Sequence, residues 1–375
     1  MNDQPTRQID RRDALGLLGA SLVPTVGHGS DDGGTVRLPT LASPDGVERW
    51  RHVPAAWNEH RLRARRARNR VADRLLGTAG VVDVGLRAGT ERYGGRRGFA
   101  IDVGVRDDGS SGGKGGGASG AASAVAAELP ARVDGVPVET SSRGDYPTAL
   151  CHRHEYDAVA GGLRVGDGPD GPVGSTGWPV RHGGERRLLS ADHVFDDETV
   201  YGDESDGDLQ RIGRVASRES PTDTAVLETD RTVDNEIRGE YDTYEIAGWV
   251  TESGIATRVT DPFDGYRTMG TVTGETTGGL GKYHVDAGYH SELPSFDGHG
   301  VRGSAAAAPG DSGGVAFTLV DGDAYLVSLV THGDPTAGRG TPGDNCADAT
   351  AYRVSLGTAA YHLDASGYEV LGEPL

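Results

Sequence analysis

Three residues far apart in the chain have side chains that could act on one bond. They are His193 in "LLSADHVF", Asp223 in "PTDTAVLE" and Ser312 in "AAPGDSGGVAF". A serine hydroxyl is a weak nucleophile until a base takes its proton, and a neutral imidazole can take that proton and later return it to a leaving group. A carboxylate beside the imidazole holds its tautomer and stabilises the imidazolium. Glycines flanking Ser312 let the backbone turn sharply, so that the amides of Gly310 and Ser312 point together at a developing oxyanion. The pattern assigns Ser312 as nucleophile, His193 as base, Asp223 as the group that orients it, and Gly310 with Ser312 as the oxyanion site. Singly each is ordinary, because a chain with 60 glycines in 375 residues makes glycine-rich runs by composition. It is the three together that point to acyl transfer.

These residues need a scaffold of short strands, and from Asp145 onward the text supplies one. "STGWPVRH", "RRLLSADHV", "TAVLET", "TYEIAGWV", "YRTMGTVTG", "GGVAFTLV" and "AYLVSLVTH" are strand-length runs between turn residues. Helical periodicity is expected only in "DATAYRVSLGTAAYHLD" near the end. This predicts a mainly β fold of sandwich or barrel type over 145–375, closed by a C-terminal helix. Before it, "AWNEHRLRARRARNRVADRLLG" (Ala56 to Gly77) reads as an Arg-rich helix. "GVVDVGLRAG", "GFAIDVGVRD" and "LPARVDGVPVET" read as strands around a flexible Gly-rich loop at 107–124. They form an expected small α+β domain over 45–141.

"SADHV", "TDTAVL" and "PGDSGG" together, in that order, resemble the catalytic segments of chymotrypsin-like serine proteases, over about Asp145 to Leu375. "MGTVTGETTGGL" (Met269 to Leu280) is similar to the turn-rich strand pair before the nucleophile in bacterial members. The resemblance implies two antiparallel β-barrels and a serine endopeptidase acting on a peptide or protein. Val194 and Ala308 stand where animal members usually carry Cys, which favours the bacterial branch. It also implies a substrate pocket with Ala306 as floor and Thr331, His332 and Gly333 as wall, with Gly333 leaving the entrance open. "VAGG" (Val159 to Gly162) resembles the N-terminus that activates animal zymogens, but Asp157-Ala158 precedes it where a basic cleavage site would stand. Asp192, beside His193, is a second carboxylate that could compete with Asp223. A catalytically silent, peptide-binding member and a chain that cuts only itself remain the alternatives.

Composition bounds the partners. The formal charge is -19, and Lys occurs only at Lys114 and Lys282. A surface this acidic excludes nucleic acid as an expected partner, and it reads either as adaptation to high salt or as a merely acidic secreted protein. Within residues 1–30, Arg11-Arg12 followed by "DALGLLGASLVPTVG" resembles a twin-arginine export signal, with no apolar run long enough for a stable membrane span. The two cysteines, Cys151 and Cys346, either form one disulfide or stay as two buried thiols. No cofactor and no metal are expected. "CHRHE" (Cys151 to Glu155) lacks partner ligands at zinc spacing, and the acidic loop Phe195 to Asp208, where some relatives bind calcium, lacks EF-hand spacing.

Overall fold

The computed structural model describes residues 34–106, 129–143, 158–168, 171–203, 209–239, 242–261, 265–287, 293–334 and 351–371. The segment 1–30, the Gly-rich loop 107–124, the interval from 144 to 157, Cys151 and Cys346 therefore lie outside the described residues. Thr35–Leu375 forms one compact unit. It is mainly β, with a short helix, Ala360–Ala365, near the C-terminus.

The N-terminal third begins with a hairpin, Thr35–Ser43 against Gly46–Pro54. This hairpin is not among the elements expected from the sequence; the structure absorbs Pro39 at a register shift between Pro39 and Leu41. Pro54 is extended, and the helix Ala55–Leu75 starts directly after it. Ala and Arg are strong helix formers, and Trp57, His60, Ala64, Ala67, Arg68, Val71 and Leu75 recur at helical spacing to make its buried stripe. That stripe lies on the hairpin Val81–Tyr93 and Arg96–Arg106, and Trp57 Nε1 donates to the carbonyl of Arg97 at 2.7 Å. Gly94 and Gly95 both have positive φ, +55° and +84°, as a two-residue hairpin turn that follows strand twist requires.

The described residues form two sheets. One has eight strands, in the order Val173–Ser175, Arg164–Gly166, Thr199–Asp203, Leu209–Glu219, Thr224–Thr229, Glu185–Ser190, Pro179–His182, Glu369–Val370. Its own core includes Val165, Leu188, Val194, Val200, Ile212, Ala225 and Leu227. The other contains Tyr266–Gly270, Gly274–Gly278, Val315–Val320, Asp323–Gly333, Ser355–Ala359, Gly300–Gly303 and Leu280–Ala287. Trp178, Leu189, Val226, Met269, Val315, Phe317 and Leu329 form the apolar layer where the two meet. The larger sheet does not stop at the expected domain limit. Val81–Tyr93 pairs antiparallel with Leu280–Ala287, and Thr35–Ser43 pairs with Thr243–Val250.

Two helix expectations need correction. Glu252–Val259 is a helix inside the region read as helix-free; Thr251 caps it by accepting the Gly254 N–H at 3.0 Å. Gly254 and the β-branched Ile255, Thr257 and Val259 give it little intrinsic propensity, which hides it in the text. In "DATAYRVSLGTAAYHLD", Ser355–Ala359 is a strand held between Gly300–Gly303 and Asp323–Gly333, and helix begins only at Ala360. A Cβ on Gly357 would lie 1.7 Å from the Leu329 carbonyl oxygen, so close strand approach overrides the helical period.

Candidate active site

His193 and Asp223 are brought together by adjacent strands. Glu185–Ser190 pairs with Thr224–Thr229, with Ser190 opposite Ala225, so the turn after the first strand meets the turn before the second. His193 lies in a single 3₁₀ turn, Asp192–Val194, and Asp223 follows another, Ser220–Thr222. Asp223 has φ +50°, a left-handed conformation that Asp tolerates better than most residues. Its Oδ1 accepts the backbone N–H of His193 at 3.0 Å, and its Oδ2 lies 2.7 Å from Nδ1 of the imidazole. A buried carboxylate accepts only, so the neutral ring carries its proton on Nδ1 and presents a lone pair at Nε2.

Ser312 comes from the other sheet, on the loop before Val315–Val320. Gly310 and Gly313 have φ of +98° and +91°, and a Cβ on Gly313 would strike the Ser175 carbonyl oxygen at 2.1 Å. The eight-stranded sheet grips this loop directly. The Ser175 N–H donates to the Ser312 carbonyl at 2.6 Å, and Ser175 Oγ donates to the Gly310 carbonyl at 2.9 Å. The result places Ser312 Oγ 2.9 Å from His193 Nε2 and 2.8 Å from the Thr331 carbonyl oxygen.

Asp311 shapes the same loop from beneath. Its buried carboxylate accepts from the N–H groups of Val272 (2.8 Å), Thr273 (3.0 Å) and Ala308 (2.7 Å) and from the Thr273 hydroxyl (2.8 Å). Burial raises its pKa, and these four donors oppose the rise. Among the described residues, the amides of Gly310 and Ser312 donate to no protein acceptor. Val159 lies within the strand Ala158–Gly161, and the donors to Asp311 come from 272, 273 and 308, so a chain terminus at "VAGG" has no part in this arrangement. Ser175 and the Val272–Thr273 turn carry no chemical signature in the text. The turn-rich "MGTVTGETTGGL" resembled a strand pair that precedes the nucleophile in sequence, but nothing in it said that its turn would meet the Ser312 loop.

The electrostatics favour a base. Burial alone would lower the pKa of His193, but the hydrogen bond and charge of Asp223, with a smaller contribution from Asp192, raise it above the ordinary histidine value. The Asp192 carboxylate itself is held by Arg218 at 3.1 Å and by the Ser220 hydroxyl at 3.0 Å. Asp192→Asn is therefore expected to leave plateau turnover of a peptide within a few-fold of the parent. It should move the acid limb of the kcat/KM profile to lower pH, because losing a nearby negative charge lets His193 stay neutral in more acid solution. A limb that stays in place would show that the charge does not act on His193.

The four residues expected to line the pocket are spread around this centre. Ala306 is buried in a small apolar cluster with Val272, Ala308 and Ala351, and its carbonyl accepts from the Thr268 and Thr276 hydroxyls. Thr331 is buried beside Ser312. His332 packs on the His193 imidazole, with ring centroids 5.0 Å apart and its Nδ1 4.0 Å from Asp223 Oδ2. Burial and the neighbouring His193 push its pKa down to about 4, so it is neutral near pH 7. At Gly333 a Cβ would meet the Tyr352 ring at 2.9 Å and the Ala307 carbonyl oxygen at 3.0 Å, so a side chain there would crowd its neighbours.

His193, Asp223 and His332 have ligand atoms within 4.8 Å of one another, but a cation among them would have to replace the His193–Asp223 hydrogen bond. A polar cavity of about 280 Å³ lies elsewhere, lined by Arg65, Arg68, His284, Asp286, Asp297 and His299. Its charged groups largely answer one another, Arg65 with Glu252 and Arg68 with Asp286.

No family model and no curated protein matches the chain. Solved structures similar to it include protease A of Thermobifida fusca, at 19% identity over 56% of this chain and 95% of that one, with a TM-score of 0.37. A glutamic acid-specific serine protease, whose structure describes a histidine triad in substrate binding, matches at 18% identity over 56% and 97%, with a TM-score of 0.39. The chymotrypsin of Cellulomonas bogoriensis matches at 17% identity over 57% and 98%, with a TM-score of 0.38. At these identities and TM-scores the likeness decides nothing about chemistry, which rests on the geometry above.

Proposed function

We propose that the chain is a serine endopeptidase that hydrolyses peptide bonds through an acyl-enzyme at Ser312. One observation carries this reading: an unbroken hydrogen-bonded path from the Asp223 carboxylate through both nitrogens of His193 to Ser312 Oγ. In the proposed reaction Oγ attacks the carbonyl carbon while Nε2 takes its proton. The amides of Gly310 and Ser312 receive the oxyanion, and the imidazolium then protonates the leaving amine. Water repeats the sequence on the ester, with His193 again as base. Residues 145–375 would carry the catalytic apparatus and 45–141 an accessory domain that shares its sheet, with export by the twin-arginine route.

The test is covalent. Purified chain in high salt should react with a fluorophosphonate, and the modified peptide should carry the label on Ser312. Absence of label in folded protein would favour the silent, peptide-binding alternative.

Side-chain preference follows from what the pocket residues lack. Ala306 and its neighbours Val272, Ala308 and Ala351 offer no carboxylate to anchor Lys or Arg. The expected preference is for medium or large uncharged residues before the cut bond, with acidic residues second. A peptide library profiled at high salt checks this, and dominant cleavage after Lys or Arg would refute the placement of Ala306 at the pocket floor.

A further inference from the structure

The chain has two lysines, and one of them, Lys282, is buried between two aspartates of the N-terminal third. Lys282 lies on Leu280–Ala287, opposite Arg87 of Val81–Tyr93. Its stem runs along the sheet across Gly85, where a Cβ would fall 2.3 Å from the lysine Cε; only glycine leaves that groove open. The groove ends at Asp83, whose Oδ1 is in contact with Nζ. The Oδ2 of Asp102 lies 2.9 Å from Nζ on the other side. Side-chain exposures are 1% for Lys282, 2% for Asp83 and 3% for Asp102, so water is excluded from all three. Asp102 is further held by the Ser141 hydroxyl, 2.8 and 3.0 Å from its two oxygens, and by Arg87 at 3.8 Å.

We infer that Lys282 and Asp83 condense to an amide, with Asp102 as the proton carrier, so that the N-terminal third is joined covalently to the sheet that carries the active site. Passing one proton from Nζ to Asp83 leaves the number of protons held by the pair unchanged and frees the nitrogen lone pair. With the proton on Asp83, the Nζ lone pair attacks the Asp83 carboxyl carbon. Asp102, its negative charge supported by Ser141 and Arg87, accepts a proton from nitrogen and delivers it to the departing hydroxyl. One C–N bond forms, one C–O bond breaks, and one water leaves; Asp102 ends as the carboxylate it began as, and no oxidant or co-reactant is consumed. Fixed proximity lowers the barrier, since well-oriented intramolecular partners reach effective concentrations on the order of 10⁵–10⁸ M. Condensation also removes one buried cation and one buried anion at once, whereas an ion pair keeps the desolvation cost of both.

The step uses neither Ser312 nor His193, so it stands apart from the proposed peptidase activity. It is read in the full-length Ser312→Ala chain, denatured and digested with trypsin. Mass spectrometry should find Leu75–Arg87 joined to Thr268–Arg302 through Asp83 and uncut Lys282, lighter than the two together by one water. Recovery of unlinked Leu75–Arg87, with Lys282 cleaved and both products at full mass, would overturn the inference. In the Asp102→Asn chain, soluble protein should yield the unlinked peptides; full linkage there would remove Asp102 from the step.

Discussion

Ser312→Ala should abolish both fluorophosphonate labelling and peptide turnover, lowering kcat by about 10⁶-fold, the loss seen when the nucleophile is removed from a cooperating triad. The fold should survive, because the loop is held by contacts that do not involve the hydroxyl. These are the Ser175 bonds to the carbonyls of Ser312 and Gly310, the Gly313 N–H on Val330 and the four donors on Asp311. An unchanged thermal transition with unchanged KM would place the loss in the chemical step. Hydrolysis persisting at the parent rate would end the assignment.

Asp223→Asn should cost about 10⁴-fold in kcat, for a reason that the two oxygens of Asp223 make explicit. Oδ1 takes the backbone N–H of His193 and Oδ2 faces Nδ1. An asparagine oxygen would keep the first bond and so preserve the turn. Its amide NH₂ would then oppose Nδ1, favouring the tautomer protonated at Nε2, which has no lone pair for the serine proton. The pH profile separates this from general damage: some rate should return at high pH, where hydroxide can take that proton. If Asp192→Asn proves the more harmful of the two, the orienting carboxylate has been misassigned.

Much of the site was legible because its pieces are local. "TAVLET" and "TYEIAGWV" are β-branched and aromatic runs bounded by turn residues, and the strands Thr224–Thr229 and Thr243–Val250 match them residue for residue. Ser312 announces itself by glycines whose positive φ the loop requires. What stayed hidden depends on partners remote in sequence. Nothing in "VVDVGL" says that it will pair with "GKYHVDA" some two hundred residues later, yet Asp83 lies opposite Ala287. Ser175 reads as one serine among many until its hydroxyl meets Gly310. His332 was legible as a residue near the nucleophile, but its packing against the His193 ring follows from a strand register that periodicity does not specify.

The shared sheet has a consequence for how this chain can be handled. In a version begun at residue 144, Leu280–Ala287 would lose its neighbour Val81–Tyr93 and become an outer strand, with Lys282 and Tyr283 bared beside a row of unmatched amides and carbonyls. Such an edge invites pairing with the same edge of another molecule. Removing the first 143 residues would therefore create an aggregation problem, independently of whether His193, Asp223 and Ser312 kept their arrangement.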